Sequence, residues 1–164
     1  MNNIQITNRA ADVGAPSNMC VLVVEDDDAD AYLIESALSG NPDVGGVVRA
    51  VDGEQALNLV ETGAVEPDIA FIDLGMPRID GLHLLAEFAG RRPCFPMVVL
   101  TSSVLQRNAM RSRFRGATRV LTKPDTFEEL EAILSATIAS ARSGVTLPPR
   151  RRTTPMPAYA IAAR

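Results

Sequence analysis

The sequence predicts an α/β fold, a doubly wound parallel sheet built from five strand–helix units. Three observations predict it. Short apolar runs, Val21–Val24, Ile69–Ile72, Met97–Leu100 and Val120-Leu121, are rich in β-branched residues and read as strands buried on both faces. Between them stand segments with apolar residues at three- and four-residue steps, so strand and helix alternate, which implies parallel strands with right-handed crossovers. Each run also ends on polar chemistry: Glu25-Asp26-Asp27-Asp28, Asp73, Thr101-Ser102-Ser103 and Lys123-Pro124. In open parallel sheets functional groups gather just past the carboxyl ends of the strands, so these four groups are expected to converge on one site.

The elements follow in order. Residues 1–18 are polar, contain Gly14 and Pro16, and read as a flexible arm. The first strand covers about 20–25. A helix runs from Asp28 to Leu38 with Leu33, Ile34, Ala37 and Leu38 at helical spacing, and Ser39-Gly40-Asn41-Pro42 ends it. Val44, Val47 and Val48 mark a second strand over about 44–50, interrupted by Gly45-Gly46. Asp52 can cap a second helix to about Val60, with Ala56, Leu57 and Val60 facing inward. Pro67-Asp68 opens the third strand, which delivers Asp73; the stretch from Gly75 to Gly81 is a loop by composition. A third helix over about 81–90 carries Leu82, Leu85 and Phe88 inward, and a fourth strand begins near Pro96. A fourth helix, about 104–115, ends at Gly116 as its C-cap. The fifth strand, about 119–122, precedes Lys123-Pro124. Thr126-Phe127-Glu128-Glu129 is a capping-box pattern opening a last helix, along which Phe127, Leu130, Leu134, Ile138 and Ala141 recur. The expected organisation is an arm (1–18), one domain (19–142) and a disordered Pro/Arg-rich tail (143–164).

Composition narrows the function. Of 164 residues, 46% are hydrophobic and 22% charged, an ordinary globular balance. No apolar stretch approaches the roughly 18 residues that cross a bilayer, and no signal-peptide core opens the chain, so a cytoplasmic setting is expected. Cys20 and Cys94 form neither a disulfide framework nor a metal-ligand spacing and read as small buried hydrophobes. The net charge is −4, but Arg150, Arg151, Arg152 and Arg164 lie in the tail, leaving −8 on residues 1–142. An acidic body does not favour nucleic acid as the main partner. Of 16 basic residues 15 are arginine; the single lysine is Lys123, at a strand end where a compact ammonium suits an anion.

Glu25, Asp26 and Asp73 place three carboxylates at adjacent strand ends. Like charges so close repel and raise one another's pKa, so a cation is the natural compensation, and an all-oxygen set suits Mg²⁺. A carboxylate oxygen can then attack a phosphoryl group, while Thr101 offers a hydroxyl and Lys123 a point charge to its oxygens. Taken singly, each piece has a plainer reading. The acidic run can be a solvated helix N-terminus, Asp73 a loop cap, and Thr101-Ser102-Ser103 a helix cap. Their recurrence at successive strand ends lifts the chemical reading.

The segments VLVVEDD, FIDLGMPRIDG, VVLTSS and GATRVLTKP resemble the receiver domain of bacterial two-component response regulators, the CheY-like fold, over about residues 20–142. The resemblance implies strand order 2-1-3-4-5 and a phosphoryl group transferred to Asp73 from a partner histidine kinase. It implies Glu25 and Asp26 as the Mg²⁺-binding acid pair, joined by Asp73 and the backbone carbonyl of Gly75. It also implies Thr101 as the switch hydroxyl, Lys123 as the phosphate-binding lysine, and a cis peptide before Pro124. Two positions depart from the family. Val120 stands where many receivers carry an aromatic reporter, which leaves a Thr101-driven loop shift or dimerisation as the output. Gly75 has no side chain to steer a hydrolytic water, so altered dephosphorylation is expected.

The opening VEDDDADAYLIESAL and the absence of an output domain are similar to stand-alone regulators of phytochrome-type histidine kinases. The expected function is therefore a phosphorylation-controlled switch, not an enzyme, with a histidine kinase as partner. A homodimer through the fourth helix, fifth strand and last helix is a further expectation. Two alternatives stay open: a receiver-fold interaction module not controlled by phosphorylation, and an aspartyl-nucleophile phosphohydrolase, against which Asp73-Leu74-Gly75 lacks a second acid. Arg107, Arg111, Arg113, Arg115 and Arg119 read as a solvated face or a docking surface. His83, the only histidine, has no metal or relay role.

Overall fold

The computed structural model describes residues 18–76, 81–90, 95–102 and 117–144. Five strands form one parallel sheet: β1 Met19–Val24, β2 Val44–Ala50, β3 Ile69–Asp73, β4 Met97–Thr101 and β5 Arg119–Thr122. Their spatial order is β2-β1-β3-β4-β5, the expected doubly wound order, with its direction of winding reversing between β1 and β3. Helices α1 (Asp28–Ser39), α2 (Gly53–Glu61), α3 (Gly81–Gly90) and a last helix (Phe127–Ser143) alternate with the strands. Outside the described residues lie the expected fourth helix with Gly116, Arg107, Arg111, Arg113 and Arg115, Cys94, and most of both the arm and the tail.

Successive side chains of a strand leave the sheet on opposite sides, and here both sides are covered. Val21 and Val23, Ile69 and Phe71, and Val98 and Leu100 pack against Ile34 and Leu38 of α1 and Leu130, Leu134 and Ile138 of the last helix. Leu22 and Val24, Ala70 and Ile72, and Met97 and Val99 meet Ala56 of α2 and Leu84, Leu85 and Phe88 of α3. Burial on both faces is why these strands read as unbroken apolar runs rather than alternating ones. Edge strand β2 is less covered, and its register shifts where Met19 pairs with Val44 but Cys20 with Gly46.

Caps hold the helix starts. Asp27 accepts from the N–H groups of Ala29 and Asp30, Asp52 from Gln55, and Thr126 from Glu129. One inward assignment fails, since Leu82 is 39% exposed; Leu33 (40%) and Phe127 (38%), at helical spacing with their buried neighbours, also turn toward solvent. In α3 the buried set is Gly81, Leu84, Leu85 and Phe88, a stripe at steps of three and four that leaves Leu82 about 100° round the helix. The stripe of α1 takes Ala31, Ile34, Ala37 and Leu38, and that of the last helix begins only at Leu130. Cys20 is half-buried rather than buried; its N–H donates to Asp68 Oδ2 at 2.7 Å. No helix among the described residues is long and apolar enough to cross a membrane.

Candidate functional site

The sheet register sets the site. Val24 lies opposite Ile72, Asp73 opposite Leu100, and Thr101 opposite Thr122. Glu25, Asp73, Thr101 and Lys123 therefore stand at neighbouring strand ends, as expected. Glu25 is only 1% exposed, Asp73 8% and Thr101 1%, whereas Asp26 is exposed. Glu25, Asp26 and Asp73 can each offer a carboxylate oxygen within 4.8 Å of the others. Three hard oxygen donors, two of them buried and mutually repelling, fit a small divalent cation.

Lys123 supplies compensating charge. Its Nζ donates to Glu25 Oε2 at 2.6 Å and Asp30 Oδ2 at 2.7 Å, and lies 3.2 Å from Asp73 Oδ1. Its backbone N–H donates to the Thr101 carbonyl at 2.8 Å, so the strand-end pairing itself aims the side chain. Burial pushes the Glu25 carboxyl above its ordinary value, against the opposing pull of Lys123. Burial would lower Lys123, but hydrogen bonds to Asp30 and Glu25 and the charge of Asp73 hold its ammonium above the ordinary 10.5. Asp27 is held below its ordinary value, chiefly by the Asp30 N–H.

The peptide before Pro124 is trans, since no cis peptide occurs among the described residues. This corrects the expectation of a cis bond. The trans form is favoured for X–Pro by about 0.5–1 kcal/mol, and Lys123 reaches its partners without the cis turn. Val120 is buried, packed in the cluster that holds Met97 and Val99. Arg119 is half-buried on β5, and the other four arginines of the expected face lie outside the described residues. His83 sits on the exposed side of α3, 3.8 Å from Glu87 Oε1.

Two close approaches shape the loop after Asp73. The Gly75 N–H donates to Asp73 Oδ2 at 2.8 Å, and a Cβ on Gly75 would stand 3.0 Å from that oxygen. At Gly81 a Cβ would come within 2.3 Å of the Asp73 carbonyl oxygen, so the start of α3 can lie against the end of β3 only with glycine there. Composition alone marked Gly81 as a loop residue.

Sequence reasoning also missed Arg49 and Asp30. Arg49, on β2, donates to the carbonyls of Glu25 at 3.0 Å and Asp26 at 3.2 Å and pairs with Asp28 Oδ1 at 2.8 Å. It thereby holds the backbone that presents the two acids. No spacing rule links it to them. Asp30 reads in sequence as one more acid of a helix first turn; its contact with Lys123 spans 93 positions of chain.

A family model described as the response regulator receiver domain matches residues 21–135. The two-component response regulator PhoP of Pseudomonas aeruginosa is 38% identical over 119 residues, 72% of this chain and 51% of that protein. The chain spans about half or less of the length of the curated relatives it matches. Among solved structures, the phosphorylated cyanobacterial phytochrome response regulator RcpA superposes with a TM-score of 0.70 at 28% identity, covering 80% of this chain and 99% of that one. The Mn²⁺-bound form of response regulator Rcp1 does so with a TM-score of 0.65 at 25% identity, covering 79% and 99%.

Proposed function

This chain belongs to the response regulator receiver domain family, and on that premise we propose that it is a phosphorylation-controlled switch whose acceptor is Asp73. A carboxylate oxygen of Asp73 attacks the phosphorus of a phosphohistidine on a partner kinase. The O–P bond forms, the P–N bond breaks, and the imidazole nitrogen keeps the electron pair. Lys123 places its ammonium against a phosphoryl oxygen, and Thr101 donates its hydroxyl to another. Glu25, Asp26, Asp73 and the Gly75 carbonyl are the proposed holders of Mg²⁺, which when bound neutralises charge on the transferring group. Arg49 keeps the two acids presented, and burial of Asp73 limits the water that competes with the transfer.

The observation that carries this reading is a nearly buried Asp73 with Lys123 Nζ 3.2 Å away and two further carboxylates within 4.8 Å. Residues 19–142 are the proposed unit, set in the cytoplasm. Likeness to RcpA favours a phytochrome-type histidine kinase as donor. With Val120 packed in the core, output is proposed to leave through the Thr101 strand end or through dimerisation, rather than by aromatic rotation.

Incubation with acetyl phosphate and Mg²⁺ tests the proposal. A single phosphoryl adduct, labile to both acid and base and lost in Asp73→Asn, is expected. No adduct, or one that survives Asp73→Asn, refutes it.

A further inference from the structure

Lys123 is fully engaged before any phosphoryl group arrives. An ammonium has three hydrogens to donate, and Glu25 Oε2 (2.6 Å), Asp30 Oδ2 (2.7 Å) and Asp73 Oδ1 (3.2 Å) stand ready to accept them. To bond a phosphoryl oxygen, Lys123 must release one of these carboxylates. The three differ in what release costs. The Glu25 side chain is 2% exposed and that of Asp73 10%, so either would be left as a buried charge without its partner, whereas Asp30 is 43% exposed and regains water. A cleft of about 170 Å³, walled in part by Asp30, Ser102, Lys123, Pro124 and Asp125, opens on the pair. Asp30 is also held in place: its N–H donates to the capping carboxylate of Asp27 at 2.9 Å.

We propose that Asp30 is a positioning residue that occupies the Lys123 ammonium in the unphosphorylated protein and competes with the phosphoryl group for it. The proposal rests on Asp73 being the phosphoacceptor. Asp30 then sets how readily the phosphorylated state is held: the stronger its grip on Lys123, the weaker the net gain when a phosphoryl oxygen replaces it.

Lys123 is the only lysine in the chain, so ¹⁵N-lysine labelling gives one side-chain Nζ resonance as a direct probe. In phosphate-free protein, Asp30→Asn is expected to shift that resonance and Asp30→Glu to restore it. Titration with beryllium fluoride, a phosphoryl mimic, in the presence of Mg²⁺ is expected to show a midpoint about two- to fivefold lower for Asp30→Asn, the range for a partly exposed pair. The gain should shrink at high salt. Glu54→Gln removes an equal first-turn charge at an exposed residue of α2, and should leave the midpoint where it was. Equal midpoints for wild type and Asp30→Asn, or equal gains for Glu54→Gln and Asp30→Asn, overturn the proposal while leaving Asp73 as acceptor. A wild type that does not respond to beryllium fluoride overturns the phosphoacceptor reading and this one with it.

Discussion

Replacing Lys123 by methionine keeps the stem and removes the charge from the centre of the site. The Glu25 and Asp73 side chains, 2% and 10% exposed, then face each other with no ammonium between them. Breaking a buried ion pair by removing one partner costs about 3–5 kcal/mol. The protein can limit the loss by protonating Glu25. That escape has its own cost near pH 7.5, about three units above the ordinary 4.5, and at about 1.36 kcal/mol per unit it comes to roughly 4 kcal/mol. The two routes agree, so urea unfolding of Lys123→Met in EDTA at neutral pH should show a loss of about 3–4 kcal/mol. The deficit must depend on pH in a definite sense. Glu25 has its folded value raised, so its protonated form favours folding below 4.5 and the advantage is lost as pH rises through the raised value. The variant therefore approaches wild type as pH falls toward 4.5. Wild type carries a second slope: Lys123 is raised above 10.5, so its contribution is complete below 10.5 and fades as pH climbs through the folded value, a slope the variant lacks. Mg²⁺ should narrow the difference, because bound cation replaces the missing charge. A loss under about 1 kcal/mol, or one unchanged between pH 5 and neutrality, would refute the claim that Lys123 is the compensating cation.

Two further substitutions probe the frame around the site. Gly81→Ala sets a methyl 2.3 Å from the Asp73 carbonyl oxygen, and should cost about 1–3 kcal/mol in urea unfolding and slow acetyl-phosphate labelling; unchanged labelling would show that α3 can move away without disturbing Asp73. Thr122 Oγ1 is buried with no hydrogen-bond partner among the described residues, so Thr122→Val should leave stability unchanged or raise it by about 1 kcal/mol, and a clear loss would mean that the hydroxyl is bonded after all.

The order of elements was legible because it rests on local physics. Doubly buried strands must be apolar on both faces, which makes Ile69–Ile72 and Met97–Leu100 stand out, and helix starts need side-chain acceptors, which Asp52 and Thr126 supply. Once strands are parallel, their carboxyl ends share an edge, so Glu25, Asp73, Thr101 and Lys123 converge by topology alone. Which apolar residue of a helix turns inward was less legible. Leu33 and Leu82 sit one step from the buried stripe, and only the angle at which each helix meets the sheet chooses between neighbours 100° apart. Likewise the isomer before Pro124 depends on a small energy difference that tertiary context decides.

By itself, then, the sequence determined the alternation, the sheet and the identity of the acidic, hydroxyl and ammonium groups at its edge. Only the tertiary structure decided what those groups do to one another. Arg49 grips the carbonyls behind Glu25 and Asp26 from a neighbouring strand, Gly81 lets a helix rest on Asp73, and Asp30 reaches Lys123 across the fold. The Arg49 and Asp30 contacts join residues far apart in the chain, and the Gly81 contact depends on how α3 packs against the end of β3. Hydropathy and capping patterns act over a few residues, while hydrogen bonds and ion pairs act over a few ångströms. Nothing in the former carries the latter until the chain has folded.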